Sequence, residues 1–315
     1  MHILLTGASG LVGHDVLIYL LSQGHTVLAT DIVPLPDHIL SKLTDAIPDL
    51  SSKFKYLTVD LCSHTAVQQL FDDAQATTTP IEGVIHLGAI PNPLNRDARV
   101  VHNNNVTSSY NVLYTAAKMG IKRITQASSV NATGLSYTTK GRQMYDEFPL
   151  SEEKETYKGE DPYALSKEIC ETQARSIVRL FPGTRVASLR FHMVVPSLSI
   201  ALPKTHASDL WAWVSVEASA RACLLGITSE GWEGAEAFNI VADDIAWEGG
   251  LAPESKGQNQ ENGKHVTSLE LAEHNYKGRY GGIREGWWVE GRERRGFWDC
   301  TKAERLLGWK HDQQE

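Results

Sequence analysis

The chain has no excess of positive charge: 30 lysines and arginines stand against 38 aspartates and glutamates, a formal net charge of −8 over 315 residues. Nucleic acid and anionic membrane surfaces are held non-specifically by basic excess, so neither is expected as a partner. No uninterrupted apolar run approaches membrane-spanning length. Met1 leads almost directly into the apolar Ile3-Leu4-Leu5, so no signal peptide is expected. Cysteine is scarce, and Cys62, Cys170, Cys223 and Cys300 are scattered without pairing or metal-ligand spacing. They read as reduced thiols of a cytoplasmic protein. His86, His102, His192 and His206 follow no ligand pattern, and no metal is expected. No segment repeats. What remains is an ordinary globular composition, 42% hydrophobic, long enough for one large α/β domain or one such domain with a smaller cap.

The organising stretch is the first one. Ile3, Leu4 and Leu5 form a short apolar run, and Thr6-Gly7-Ala8-Ser9-Gly10-Leu11-Val12-Gly13 follows. Next come an apolar-rich segment through Leu21, a break at Gly24, and a second apolar run from Thr26 to Thr30 that ends at Asp31. This order predicts strand, glycine turn, helix, strand. Gly7 permits the tight turn, Gly10 lets backbone approach a phosphate, and Gly13 lets the helix lie close to the sheet. Free N–H groups and the positive dipole end of the helix then face a pyrophosphate, with Ser9, Leu11 and Val12 in the same turn. Asp31 is placed to accept hydrogen bonds from a ribose 2′-hydroxyl and to repel a 2′-phosphate, so the expected cofactor is NAD rather than NADP. A glycine triplet alone is often just a tight turn; the strand, helix and acid around this one single out a dinucleotide.

Further strands are predicted at Lys55–Val59, Gly83–Leu87, Lys122–Ala127, Thr184–Val195 and Phe238–Val241. Helices are predicted near Ile39–Ala46 and at Thr65–Ala76, Asn103–Met119, Asp161–Leu180, Leu210–Leu225 and Asp299–Trp309. Strands alternating with helices imply an α/β fold with a doubly wound parallel sheet, the Rossmann arrangement. Ligands of such sheets sit beyond the carboxyl ends of the strands, where Gly7, Asp31, Asp60, Gly88 and Ser129 all fall. Residues 1–185 are expected to form the NAD-binding domain. Residues 186–315 are expected to be mostly a smaller substrate-binding region and lid, with some strands and helices returning to the core. Residues 130–160 read as loop, and 243–264, rich in Gly, Glu, Asn and Gln, as a mobile excursion.

Tyr163 and Lys167 are four apart on a helix opened by Asp161-Pro162, so they share one face. A tyrosine beside an ammonium has its phenolate stabilised and can act as a general acid–base, taking a proton from an alcohol or returning it. Ser129, at a strand end, is placed to hydrogen-bond the reacting oxygen; the bland alternative is that Ser128 or Ser129 only caps the strand. Trp287-Trp288 and Arg292-Glu293-Arg294-Arg295 read either as a lid for an anionic substrate or as packed tryptophans beside a solvated charged loop.

Thr6-Gly7-x-x-Gly10-x-x-Gly13, Asp60-Leu61, Asn105-Val106 with Asn111-Val112-Leu113, Ser128-Ser129 and Pro162-Tyr163-x-x-Ser166-Lys167 together resemble the extended short-chain dehydrogenase/reductase superfamily, specifically its NAD-dependent epimerase/dehydratase group. Lys302-Ala303-Glu304-Arg305-Leu306-Leu307-Gly308-Trp309 resembles the closing segment of many members. The resemblance implies Tyr163 as acid–base, Lys167 as its tuner and holder of the nicotinamide ribose, and Ser129 as the substrate-oxygen partner with Ser128 as alternate. It implies Asp60 and Leu61 at the adenine, Leu87, Gly88 and Ala89 along the dinucleotide, Asn105 near the nicotinamide side, and Phe191, the aromatic that members usually carry after Arg190, among the cofactor-binding residues. His192 stands where members usually carry asparagine. Only fourteen residues, Ser197 to Leu210, separate Pro196 from Trp211, with no Gly-Asp-Gly and no Arg. Nucleotide-sugar members use a longer segment there to grip a diphosphate. The run Leu210-Trp211-Ala212-Trp213-Val214-Ser215-Val216 resembles shorter members that oxidise free sugar acids, such as uronate dehydrogenases.

The expected function is therefore NAD-dependent hydride transfer on a secondary alcohol or ketone of a small polar, sugar-like or sugar-acid substrate. The alternatives are a nucleotide-sugar 4-epimerase with tightly bound NAD and a non-catalytic NAD-binding regulator. Surplus apolar positions on Asn103–Met119 and Pro162–Leu180 add the expectation of a homodimer.

Overall fold

The computed structural model describes residues 1–76, 79–153, 159–251 and 265–312. The first half runs β1 (His2–Thr6), α1 (Gly13–Ser22), β2 (Thr26–Asp31), α2 (Asp37–Ala46), α3 (Leu50–Lys53), β3 (Phe54–Thr58), α4 (His64–Gln75), β4 (Gly83–His86), α5 (Ala98–Lys118) and β5 (Arg123–Ser129). Then follow α6 (Pro162–Leu180), β6 (Arg185–Phe191), β7 (Val194–Val195), α7 (Leu198–Ala201), β8 (Val214–Ser215), α8 (Val216–Thr228), β9 (Ala235–Ile240), α9 (Ser268–Tyr276) and α10 (Thr301–Leu307).

The residues of β1 show why two layers of helix form. Side chains alternate along a strand, so neighbours serve opposite faces. Ile3 and Leu5 pack with Val16, Leu17 and Leu20 of α1 and Ala222 and Ile227 of α8. Leu4 packs on the other face with Phe71 of α4, Leu113 of α5 and Ile177 of α6. All three β1 residues are fully buried, each worth roughly 1.5–3 kcal/mol of apolar transfer. The seven strands run in the order β3-β2-β1-β4-β5-β6-β9, and every pairing is parallel. The order in which strands are added reverses between β1 and β4, opening a crevice beyond their carboxyl ends.

Two strands of this sheet come from beyond residue 185, and α8 covers one of its faces. The chain end returns as well: the Trp309 indole donates to Ala218 O at 2.8 Å. A separate aromatic core gathers Tyr145, Phe148, Trp211, Trp247, Tyr276 and Phe297. The expected loop 130–160 is tied to this core as a strap. Phe148 N donates to Gly282 O, and Leu150 N to Phe297 O. Trp287 and Trp288 turn inward and donate to Gly296 O and Arg295 O. The Arg295 guanidinium lies 3.2 Å from the centroid of the Trp287 ring.

Four boundaries differ from those expected. Helix α5 begins at Ala98, not Asn103, because Asp97 accepts from Arg99 N at 2.8 Å and caps it. Helix α8 begins only at Val216, capped by Ser215, because Leu210 and Trp211 have φ of 55° and 51°. The expected strand 184–195 splits at Met193, φ 39°. Helix α9, where no helix was expected, follows the 243–264 stretch and is opened by a reciprocal Thr267/Glu270 capping box. Within the expected mobile stretch, residues 252–264 lie outside the described residues, as do 154–158 of the expected loop.

Candidate active site

The glycine turn lies across the β1/β4 crevice. Gly7 has φ 73°, and a Cβ there would stand 2.6 Å from Leu87 C and Gly88 N at the end of β4, so only glycine fits. A Cβ on Gly13 would lie 1.9 Å from Gly7 O. Gly13 thus makes room for the turn itself rather than for the sheet. Gly10 is different: its absent Cβ would meet only Gly7 O, at 3.2 Å, and the residue lines an open cavity. The missing side chain therefore leaves backbone bare where a phosphate would approach. Leu11 and Val12 line the same cavity, and Leu11 is 71% exposed. Asp31 lines it too, its carboxylate accepting from Ser9 N at 3.0 Å and Ile32 N at 2.7 Å. The donor set, bare turn and acid fit an adenine dinucleotide.

Leu87, Ala89 and Phe191 also line the cavity, whereas Ser9, Asp60, Leu61, Gly88 and Asn105 do not. Those five act from outside the lining or stand apart from it. Asp60 Oδ1 accepts from Cys62 N, and Leu61 packs against Gly88, leaving no space for a side chain there. Asn111, not anticipated as a support, donates to Leu61 O and Cys62 O. Asn105 is 1% exposed; it pairs with both Ile90 N and Ile90 O and donates to Ser166 Oγ at 3.1 Å. It ties the loop after β4 to α6, one residue from Lys167.

At the carboxyl end of β5 the two serines separate. Ser128 Oγ donates to Glu171 Oε1 at 2.6 Å, and Arg190 makes a bidentate pair with the same carboxylate, both bonds 2.8 Å. Burial pushes the Glu171 carboxyl up, but Arg190 and Ser128 outweigh it and hold it below the ordinary range. Ser129 instead lines the cavity beside Tyr163 and accepts from Asn131 N at 3.1 Å. Tyr163 is 7% exposed; burial drives its phenol well above the usual tyrosine range, and the nearby Ser129 hydroxyl opposes that. The Lys167 ammonium lies 5.7 Å from the Tyr163 ring centroid and donates to Ala127 O at 2.7 Å. Burial also lowers Lys167 from its ordinary value. The expected stabilisation of the Tyr163 phenolate by Lys167 is therefore not what dominates the free site; burial is. His86, buried and paired with Thr6 Oγ1 at 2.7 Å, is pushed down to about 3 by burial and by Lys167.

The cavity, about 590 Å³, runs from the glycine turn past Ser129, Tyr163 and Lys167 to Tyr137, His192 and Met193. No arginine lines it among the described residues, and neither Trp287 nor Trp288 reaches it. His192 Nε2 stands 3.4 Å from Asp209 Oδ2. A larger cleft, about 870 Å³, opens at the amino-terminal edge of β5, β6 and β9 beside Arg185 and Trp232, and holds none of the motif residues. Glu171 continues the face of Tyr163 and Lys167 at the next four-residue step, a spacing that the sequence displayed. Asp209 had no such signal, because only the path of the chain brings it to His192.

A parallel sheet with a glycine turn at its reversal and Tyr163, Lys167 and Ser129 at the same edge defines a Rossmann-type dinucleotide-binding protein. Residues 3–239 match the NAD dependent epimerase/dehydratase family, and the chain belongs to it. A UDP-glucose 4-epimerase of Caenorhabditis elegans is 26% identical over 228 residues, covering 68% of this chain and 61% of that protein. The chain thus spans less than two thirds of that relative. Among solved structures, the UDP-glucose 4-epimerase of Bifidobacterium longum in complex with NAD+ and UDP superposes with TM-score 0.65 at 18% identity, covering 100% of this chain and 94% of the other. The glucuronic acid dehydrogenase of Chromohalobacter salexigens gives 0.61 at 20%, covering 99% and 85%. At such identities these likenesses concern the fold.

Proposed function

We propose that the chain is an NAD-dependent oxidoreductase acting on a secondary alcohol or ketone of a small polar substrate, sugar-like or a sugar acid. The observation that carries this reading is the placing of Ser129, Tyr163 and Lys167 together on the wall of the cavity that also holds Gly10 and Asp31. Bound NAD supplies the hydride acceptor. Gly10 and the amino end of α1 hold its pyrophosphate, and Asp31 its adenosine ribose. Ser129 Oγ orients the reacting oxygen. Tyr163 Oη carries the proton: protonated in the buried free site, it donates to a carbonyl oxygen in reduction and receives the alcohol proton in oxidation. Lys167 supplies the positive field on which the second direction depends.

A nucleotide-sugar 4-epimerase is the second reading, favoured by the Caenorhabditis elegans relative. A cavity without arginine among its described lining lacks the fork-shaped cation best suited to a diphosphate, and this supports the first reading. Incubation with free NAD and a panel of uronic acids, aldoses and UDP-sugars separates the two: steady NADH formation supports the dehydrogenase, and epimerised product without net NADH supports the epimerase. No helix among the described residues is long and apolar enough to cross a membrane, and all four cysteines are free. The free thiols support a reducing, cytoplasmic setting. Val100 and Tyr110 of α5 and Leu165 of α6 remain exposed, which supports a homodimer through these helices; light scattering over a concentration series tests it.

A further inference from the structure

We propose that His192, held by Asp209, receives the carboxylate of an anionic substrate, so that the cavity selects sugar acids over neutral sugars of the same shape. This rests on the reading of the cavity as the active site.

The pair is built rather than incidental. Both side chains are more than nine-tenths buried, and His192 Nε2 lies 3.4 Å from Asp209 Oδ2. Asp209 Oδ1 is occupied by two backbone donors, His206 N at 2.8 Å and Trp211 N at 3.2 Å. The carboxylate is thereby fixed with its second oxygen turned to the imidazole. Backbone at both partners is held in the left-handed region by residues that are not glycine: Met193 directly after His192, with φ 39°, and Leu210 and Trp211 directly after Asp209, with φ 55° and 51°. Conformations of this kind cost energy, persist only where surrounding structure imposes them, and cluster at binding sites. Here the surroundings are the aromatic core, in which Leu210 and Trp211 are buried.

The chemistry follows from what else the cavity offers. The basic side chains lining it among the described residues are Lys167 and His192. The Lys167 ammonium is engaged with Ala127 O and lies beside Tyr163, at the reacting end. Nε2 is buried 3.4 Å from Asp209 Oδ2 without a hydrogen bond to it, and Nδ1 is the His192 nitrogen left for a ligand. A substrate carboxylate at Nδ1 sets the ring between two carboxylates, one N–H to each, as charge-assisted hydrogen bonds. A neutral sugar presents no charge to such a group, and its hydroxyl gains less.

The test uses the full chain saturated with NAD, with glucuronate and glucose as probes, reading calorimetric binding and steady-state NADH formation. His192→Gln keeps a polar side chain and removes the imidazole, and with it the capacity to take up a proton. The expected result is a fall of roughly ten- to hundredfold in the preference for glucuronate over glucose, the range for losing a hydrogen bond to a charged group, borne by KM and not kcat. Asp209→Asn, at a positioning residue, is expected to lower the same preference, and the double variant to lose no more than His192→Gln alone. NAD affinity and circular dichroism report folding, and His192→Asn replaces His192→Gln if the latter does not fold. Equal losses for both probes, or a wild-type chain that binds glucuronate no better than glucose, overturn the proposal. His192-dependent binding of glucuronate without NADH formation upholds it while removing the oxidoreductase reading. NADH from glucose alone upholds that reading and removes this one.

Discussion

Ser128 and Ser129 are adjacent on β5, yet Ser128 Oγ is committed to Glu171 at 2.6 Å while Ser129 Oγ accepts from Asn131 and stands beside Tyr163 on the cavity wall. One residue of register therefore separates support from chemistry. Ser129→Ala is expected to lower kcat by roughly 10²–10³-fold, the effect of removing one donor at a reacting oxygen. Ser128→Ala is expected to leave kcat far less affected but to cost about 1–3 kcal/mol of stability by leaving Glu171 short of a donor. Steady-state kinetics beside urea unfolding of the two variants checks both.

Tyr163→Phe is expected to reduce turnover by roughly 10²–10⁴-fold, the usual worth of a positioned general acid–base. NAD binding, measured by calorimetry, should persist, because the glycine turn and Asp31 are untouched. Burial holds the Tyr163 proton above the usual tyrosine range. Ketone reduction by the wild-type chain should accordingly stay level through neutral pH and decline only in the alkaline range, as a pH–rate profile would show.

Glu171→Gln leaves the Arg190 guanidinium, 7% exposed, without its countercharge, and such a loss costs about 3–5 kcal/mol. The Glu171 carboxyl is held below its ordinary value, with burial opposing and Arg190 and Ser128 prevailing. Its contribution is thus present above the unfolded value of about 4.3 and is lost as pH falls through the lower folded value. Urea unfolding of wild type and variant should show a wide stability gap at pH 7 that narrows on acidification below about pH 4.

Gly10→Ala and Gly13→Ala should fail differently. At Gly13 a methyl would lie 1.9 Å from Gly7 O, so the turn must break and the melting temperature should fall sharply. At Gly10 the only protein neighbour would be Gly7 O at 3.2 Å. That variant should melt near wild type but bind NAD roughly tenfold more weakly, a loss of about 1.4 kcal/mol. Thermal melts with and without NAD distinguish the two.

The open sheet was legible because β1 and its followers carry apolar residues on both faces, as Leu4 against Ile3 and Leu5 illustrates. The Tyr163/Lys167 face was legible because helical spacing is local. The start of α8 was not: Leu210 and Trp211 read as apolar helix but are bent out of it by packing into a core assembled from distant loop segments and α9. The Thr267/Glu270 box was present in the sequence and was overshadowed by the polar run before it. The partners of Ser128 and His192 depended on side chains 43 and 17 residues away, which no periodicity reports.

The return of β6, β9 and Trp309 to the first half's sheet has a bearing on engineering. A cut at residue 185 would strip β5 of its β6 neighbour along the edge that carries Ser129, so the cofactor half is not a transplantable module. New specificity has to be sought by rewriting the start of the connection between two anchored elements, β6 and α8, where His192, Met193 and Val194 line the cavity.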